Sequence, residues 1–91
     1  MMTTFDHSPA ARLAWLEAHV DVLRAAYIAK MDAVAAHFTE LSALPYPSPR
    51  YSELFACTDD LKDDMSKAGA AYRAAKDDLD AARAEYQASR G

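Results

Sequence analysis

Three of the four prolines of this chain lie in one short stretch, Leu44-Pro45-Tyr46-Pro47-Ser48-Pro49. Each proline disfavours a helical backbone at the residue before it, so no helix is expected to continue through this stretch. Ser8-Pro9 and Ser48-Pro49 each place a serine that can cap a helix before a proline that suits its first turn. The sequence therefore predicts an all-α fold, with helix 1 over about 9–44, a proline-rich turn at 45–49 and helix 2 over about 50–89.

Both predicted helices carry apolar residues at steps of three and four, which is the spacing of one helix face. In helix 1 these residues are Leu13, Leu16, Val20, Leu23, Tyr27, Met31, Val34, Phe38 and Leu41. In helix 2 the seam runs through Tyr51, Leu54, Thr58, Leu61, Met65, Ala68, Tyr72, Ala75, Leu79, Ala82 and Tyr86. Because such a repeat is typical of a coiled coil, we expect a single domain, 1–91, that forms an antiparallel two-helix coiled-coil hairpin.

Residues that face each other in an antiparallel hairpin have numbers that add up to a constant. The two stripes meet this condition through the pairs Leu13–Ala82, Leu16–Leu79, Val20–Ala75, Leu23–Tyr72, Tyr27–Ala68, Val34–Leu61 and Leu41–Leu54. Two further pairs, Met31–Met65 and Phe38–Thr58, fit after a shift of one residue. The alanines of helix 2 face Leu13, Val20 and Tyr27 of helix 1, which balances the volume along the seam.

Helix 1 also carries a second apolar stripe, rotated away from the first, with Trp15, Ala18, Val22, Ala26, Ala29, Ala33 and Ala36. A hairpin partner can cover only one of these stripes. We therefore expect Trp15, Val22, Ile28, Ala29 and Ala33 to form a protein interface, with a second copy in a four-helix bundle or with a helix of another protein. In the alternative interpretation, the large residues are scattered surface side chains and the alanines simply favour the helix.

Two other features are candidates for contact with a partner. The first is an acidic patch of Asp59, Asp60, Asp63 and Asp64, which could face a basic groove on a target. The run could also chelate a cation, but it lacks the glycine turn and final glutamate of a calcium-binding loop. A solvated helix face is the alternative interpretation. The second is Tyr46 at the turn, whose ring could instead cover the end of the seam.

The histidines do not predict a metal site. His19 and His37 would lie about 27 Å apart along one helix, which is too far for a shared ion. We expect His19 to lie near Asp78 at the edge of the seam and His37 to lie on the surface. Arg12 is expected near Glu85, where such an exposed ion pair would stabilise the fold by only ~0–1 kcal/mol.

Composition excludes several classes of function. The net charge of −4 opposes binding to a phosphate backbone, so nucleic acid is not an expected partner. The apolar runs are too short to cross a membrane, and the start of the chain does not resemble a signal peptide. Cys57 is the only cysteine, which fits a reducing, cytoplasmic compartment. The chain carries neither a nucleophile–base motif nor a phosphate loop, so we expect a protein that is not an enzyme and binds no cofactor or metal.

Two classes of function remain open. The first is a small protein-binding module, an adaptor or inhibitor of a larger target, which acts through a helical face. The second is a self-assembling structural subunit or spacer without a separate ligand. The abundance of alanine suggests a GC-rich coding genome and hence a bacterial or phage protein.

Overall fold

A computed structural model describes residues 8–90, and this part of the chain is helical without a strand. Helix α1 comprises Pro9–Ala43, helix α2 comprises Pro49–Phe55 and helix α3 comprises Thr58–Arg90. The molecule is elongated, with dimensions of 64 × 32 × 15 Å along its principal axes. The predicted all-α class is confirmed. Within residues 8–90, no helix has the length and apolar character that crossing a bilayer requires.

The first two helices begin at the two serine–proline pairs. The Ser8 side chain accepts a hydrogen bond from the Ala11 amide at 3.1 Å, and the Ser48 side chain accepts one from the Tyr51 amide at 3.1 Å. A proline follows each serine in the first turn, where an amide hydrogen would have no partner within the helix. Both predicted N-caps are therefore confirmed.

Helix 2, expected as one segment over about 50–89, is divided by a short turn around Cys57. The Cys57 amide donates to the carbonyl of Leu54, three residues back, and the Leu61 amide then donates to the carbonyl of Cys57. The first of these bonds tightens the end of α2 in the manner common at helix ends. The Thr-Asp-Asp run at 58–60 begins α3, because these side chains favour a helix start over a helix interior.

The core lies between α1 and α3 and consists of one apolar cluster. Its buried members are Leu16, Val20, Ala75, Leu79 and Ala82, and Leu13, Leu23 and Tyr72 pack against them. Every one of these residues belongs to a pair expected from the seam. The alanines of α3 allow the two helices to approach closely, and the larger residues of α1 fill the space between them.

Ion pairs at the edge of the core show how the helices are arranged. They join Arg12 to Glu85 at 3.4 Å, Glu17 to Arg83 at 3.4 Å and Lys30 to Asp64 at 3.8 Å. Residue numbers rise along α1 while they fall along α3, an order that is consistent with a helical hairpin. These side chains are about half exposed, so each pair stabilises the fold by only ~0–1 kcal/mol. The apolar cluster must therefore contribute most of the stability.

Near the middle of the molecule, the ring of Tyr27 occupies space that is available because residue 69 is a glycine. A Cβ atom at Gly69 would lie 2.9 Å from Cε1 of Tyr27 and 3.3 Å from a guanidinium nitrogen of Arg73. The same ring stacks against Tyr72, with 6.0 Å between the ring centroids. The expected neighbour of Tyr27 was Ala68. The ring fits here because Gly69, the next residue, has no side chain.

We expect Gly69→Ala to lower the free energy of unfolding, although alanine is the better helix former by about 1 kcal/mol. The reason is that overpacking against Tyr27 costs about 1–3 kcal/mol. In a Tyr27→Ala background the same change should instead raise the free energy of unfolding by about 1 kcal/mol. Urea unfolding followed by far-UV circular dichroism measures both effects.

Ala70→Gly, at an exposed position of the same helix, is the matched control and should lower stability by about 1 kcal/mol with or without Tyr27. If Gly69→Ala stabilised the protein equally in both backgrounds, the proposed contact between the ring and residue 69 would be wrong.

Candidate protein interface

The second stripe of α1 is exposed along its whole length. The side chains of Trp15 and Val22 are 62% and 65% exposed. The alanines of this stripe, which are Ala18, Ala26, Ala29, Ala33 and Ala36, are exposed as well. We name this surface the α1 face, defined by these seven residues. It points away from the core cluster, so α3 does not cover it.

The ring of His19 stacks on the ring of Trp15, with 4.9 Å between the centroids and 16° between the planes. The expected approach of His19 to Asp78 is not among the ion pairs that the structure forms within residues 8–90. The stacked pair enlarges the flat aromatic surface at one end of the α1 face.

Ile28, which the sequence analysis grouped with Trp15 and Val22, lies on another side of the helix. Thirteen residues separate it from Trp15, which places it about 140° away around the helix axis. Its side chain is 45% exposed, as are Met31 at 37% and Phe38 at 42% on the neighbouring side of α1. The structure therefore does not bring Ile28 into the α1 face. Met31 and Phe38, expected in the seam, lie at its edge.

The four aspartates at the start of α3 do not form one unpaired patch. Asp63 pairs with Lys67 at 3.0 Å and Asp64 pairs with Lys30 at 3.8 Å. The hydrogen bond to Asp63, together with the charge of that carboxylate, raises the pKa of Lys67 above its ordinary value. The remaining two, Asp59 and Asp60, lie in the first turn of α3, where negative charge is favoured by the helix dipole. Among residues 8–90, no group of three metal-ligating side chains could hold an ion.

Tyr46 projects from the turn between α1 and α2 and is 78% exposed. Its ring meets Tyr51 edge-on at 4.9 Å, and Tyr51 in turn lies parallel to Phe55, 6.1 Å between centroids. Together with Ser52 and Ala56, these three rings line an open cleft of about 410 Å³. With only this edge contact, Tyr46 leaves most of its ring in solvent.

A second cleft, of about 530 Å³, lies beside the core between α1 and α3. Three acidic and three basic residues line it, and most of them pair with one another. The ion pairs are Glu17–Arg83, Asp80–Arg83 and Asp21–Arg24, and the ammonium group of Lys76 lies 5.5 Å above the ring of Tyr72. Because its charges are largely balanced, this cleft offers little selectivity for a charged ligand.

His37 was expected on the surface, and this prediction is wrong. His37 is only 6% exposed and Thr58 only 8%, and the His37 Nε2 atom lies 2.7 Å from the Thr58 hydroxyl oxygen. The expected partner of Thr58 was Phe38. The polar pair of His37 and Thr58 therefore lies in the seam where the ring of Phe38 was expected.

The pairing rule contained a signal for this contact. His37 and Thr58 fit the same constant as the other seam pairs, whereas Phe38 fits Thr58 only after a shift of one residue. Hydrophobic pattern alone favours the phenylalanine. Neither His37 nor Thr58 lines one of the two clefts described above, so their contact is a feature of the fold and not of a ligand site.

We expect Thr58→Val to lower the free energy of unfolding by about 1–3 kcal/mol, because it leaves the buried His37 nitrogen without its partner. Thermal or urea unfolding measures the change. The control is Thr39→Val, at an exposed threonine whose hydroxyl donates to the Ala35 carbonyl of its own helix, where we expect a change below about 0.5 kcal/mol.

The double variant His37→Leu/Thr58→Val removes both polar partners and should recover part of the loss. Equal destabilisation by Thr58→Val and Thr39→Val would show that the buried contact does not contribute to stability.

No known protein family, curated protein or solved structure matches this chain. The surfaces described above are therefore the basis of the functional argument.

Proposed function

We propose that this chain is a small, non-enzymatic protein-binding module that acts as an adaptor or inhibitor of a larger bacterial or phage protein. In this proposal the two long helices form an antiparallel coiled-coil hairpin that presents the α1 face to its target. The observation that carries the proposal is the exposure of Trp15 and Val22, both above 60%, on a helix face that the rest of residues 8–90 leaves uncovered.

The surface area of the molecule supports association. The chain exposes 6528 Å², whereas a compact protein of 10.0 kDa would expose about 5,200 Å². This larger surface follows from the elongated shape of the molecule, 64 × 32 × 15 Å, and the α1 face is part of it. In addition, no side chain among the described residues is fully buried. A partner on the α1 face would bury apolar surface that the isolated fold leaves in water.

The edges of the α1 face suggest what the partner looks like. A helix that fills the spaces above the alanines needs large apolar residues at helical spacing, and Trp15 needs a pocket or a gap between small residues. Asp21 and Asp32 lie along one edge of this face by helical periodicity. Basic residues on the partner along that edge would complement them and favour one orientation of binding. The net charge of −4 agrees with a protein target and disfavours nucleic acid.

A self-assembling structural subunit is the second candidate, because the α1 face is complementary to itself. When two copies of α1 are placed in opposite directions, Trp15 faces Ala36 of the other copy and Val22 faces Ala29. Two hairpins joined in this way would form a four-helix bundle. The same arrangement brings Asp21 close to Asp32 of the second copy, so like charges meet at one edge, although the Arg24 guanidinium group 3.2 Å from Asp21 partly offsets the repulsion. This repulsion is why we place the larger target first.

Cys57 is free and exposed. An exposed thiol persists most readily in a reducing compartment, and we include a cytoplasmic location in the proposal.

Site-specific photo-crosslinking in the source organism tests the proposal. A photoreactive residue at position 22 should give an adduct heavier than twice the 10.0 kDa chain, because the α1 face contacts a larger protein. Trp15→Asp should abolish this adduct, since a carboxylate cannot be buried in an apolar interface without a large penalty.

The matched control is Ala70→Asp, which introduces the same charge at an exposed position of α3 outside the α1 face and should leave the adduct unchanged. Light scattering on the purified variants completes the test. If the protein were a dimer that Trp15→Asp dissociates, and crosslinks formed only between two copies, the binding-module proposal would be wrong. The self-assembling subunit would then be the function that the results support.

A further inference from the structure

The aromatic cleft at the turn has a geometry that the α1 face lacks. Tyr46 stands at 74° to the plane of Tyr51, whereas the planes of Tyr51 and Phe55 differ by only 12°. The nearly parallel rings of Tyr51 and Phe55 have 6.1 Å between their centroids, and both line the cleft. We name the three rings the aromatic corner. Its cleft of about 410 Å³ falls within the ~300–1,000 Å³ typical of small-ligand sites.

The charges around the aromatic corner favour a cation. Arg50, on the same helix, has its guanidinium group 3.1 Å from a carboxylate oxygen of Glu40 and 3.8 Å from one of Glu53. This group of three side chains therefore has a net negative charge. Asp59 and Asp60, in the first turn of α3, add two negative charges to this end of the chain, whereas the lining of the cleft itself carries no charged side chain. The negative faces of the aromatic rings act in the same direction.

Other tyrosines of this chain already bind cations through their rings. The ammonium group of Lys76 lies 5.5 Å from the ring centroid of Tyr72, and the guanidinium group of Arg90 lies 5.5 Å from that of Tyr86. In both cases the basic residue follows the tyrosine by four positions. At the corresponding position after Tyr51 the chain has Phe55, so a third ring takes the place of a basic side chain. Within residues 8–90, the cation–π contacts involve only Tyr72 and Tyr86.

We propose that the aromatic corner is a binding site for a small quaternary ammonium compound. The cation interacts with the ring faces, and its methyl groups pack against the apolar lining. The net negative charge of the neighbouring Arg50, Glu40 and Glu53 group adds a weaker attraction at longer range. A primary ammonium fits this site less well, because it brings three N–H donors that need hydrogen-bond acceptors when they leave water. This site is separate from the α1 face and does not depend on the proposed protein target.

Nuclear magnetic resonance with choline chloride as the probe tests the proposal on the full chain. We expect saturable shifts of the ring signals of Tyr46, Tyr51 and Phe55, which sodium chloride at the same concentration does not produce. The neutral compound of the same shape, 3,3-dimethylbutan-1-ol, should bind roughly 2- to 30-fold more weakly, because it retains the apolar contacts and lacks the charge. Butylammonium should also bind more weakly than choline. Equal affinity for choline and the neutral compound, or the absence of saturable shifts, would overturn the proposal.

Phe55→Leu keeps an apolar side chain and removes the ring face, so the Kd for choline should rise by at least about threefold. The control is Phe38→Leu, at a phenylalanine of similar exposure outside the cleft, which should leave the Kd unchanged. Far-UV circular dichroism verifies that both variants remain helical. If the two substitutions changed the Kd equally, the aromatic corner would not be the site.

Discussion

The narrow apolar contact between α1 and α3 is the interaction on which the whole molecule depends. It consists of one cluster around Leu16, Val20, Ala75, Leu79 and Ala82. Two helices alone cannot surround a side chain on all sides. Each of these five residues therefore remains 4–8% exposed. Large apolar side chains such as Trp15 and Val22 therefore stay exposed. The outer faces of α1 and α3 are exposed because the core is formed by only these two helices.

How far the sequence predicts this fold differs along the molecule. Around the core cluster, the register follows from the constant relation between facing residues, because leucine and valine facing alanine satisfy both hydrophobicity and volume. Toward the turn the same rule is weaker. There the buried contact is a hydrogen bond between His37 and Thr58. A search for apolar residues at helical spacing cannot identify such a polar pair. The turn around Cys57 is formed by local hydrogen bonds and contains neither proline nor glycine. The sequence therefore carries no strong signal for it.

The candidate sites show a similar division. The exposure of the α1 face could be predicted because α1 carries two apolar stripes and one helix partner can cover only one of them. Trp15 and Val22 could therefore be identified as exposed residues from the sequence. The aromatic corner could not be foreseen as a unit. Tyr46 attracted attention by its position, but its relation to Tyr51 and Phe55 depends on the angle at which α2 leaves the turn. The acidic run illustrates the opposite case, because neighbouring lysines pair with Asp63 and Asp64 and reduce the charge that the sequence suggests.

The 64 Å length of the molecule separates its two proposed sites. Trp15 lies near one end of α1, and about 42 Å of helix separates it from Ala43, beyond which the aromatic corner begins. The α1 face and the aromatic corner share no residue, and coupling between them would need an element with two arrangements that both ligands favour differently. Occupancy at one end should therefore leave the dissociation constant at the other unchanged, so that one chain could hold a protein target and a small cation at the same time.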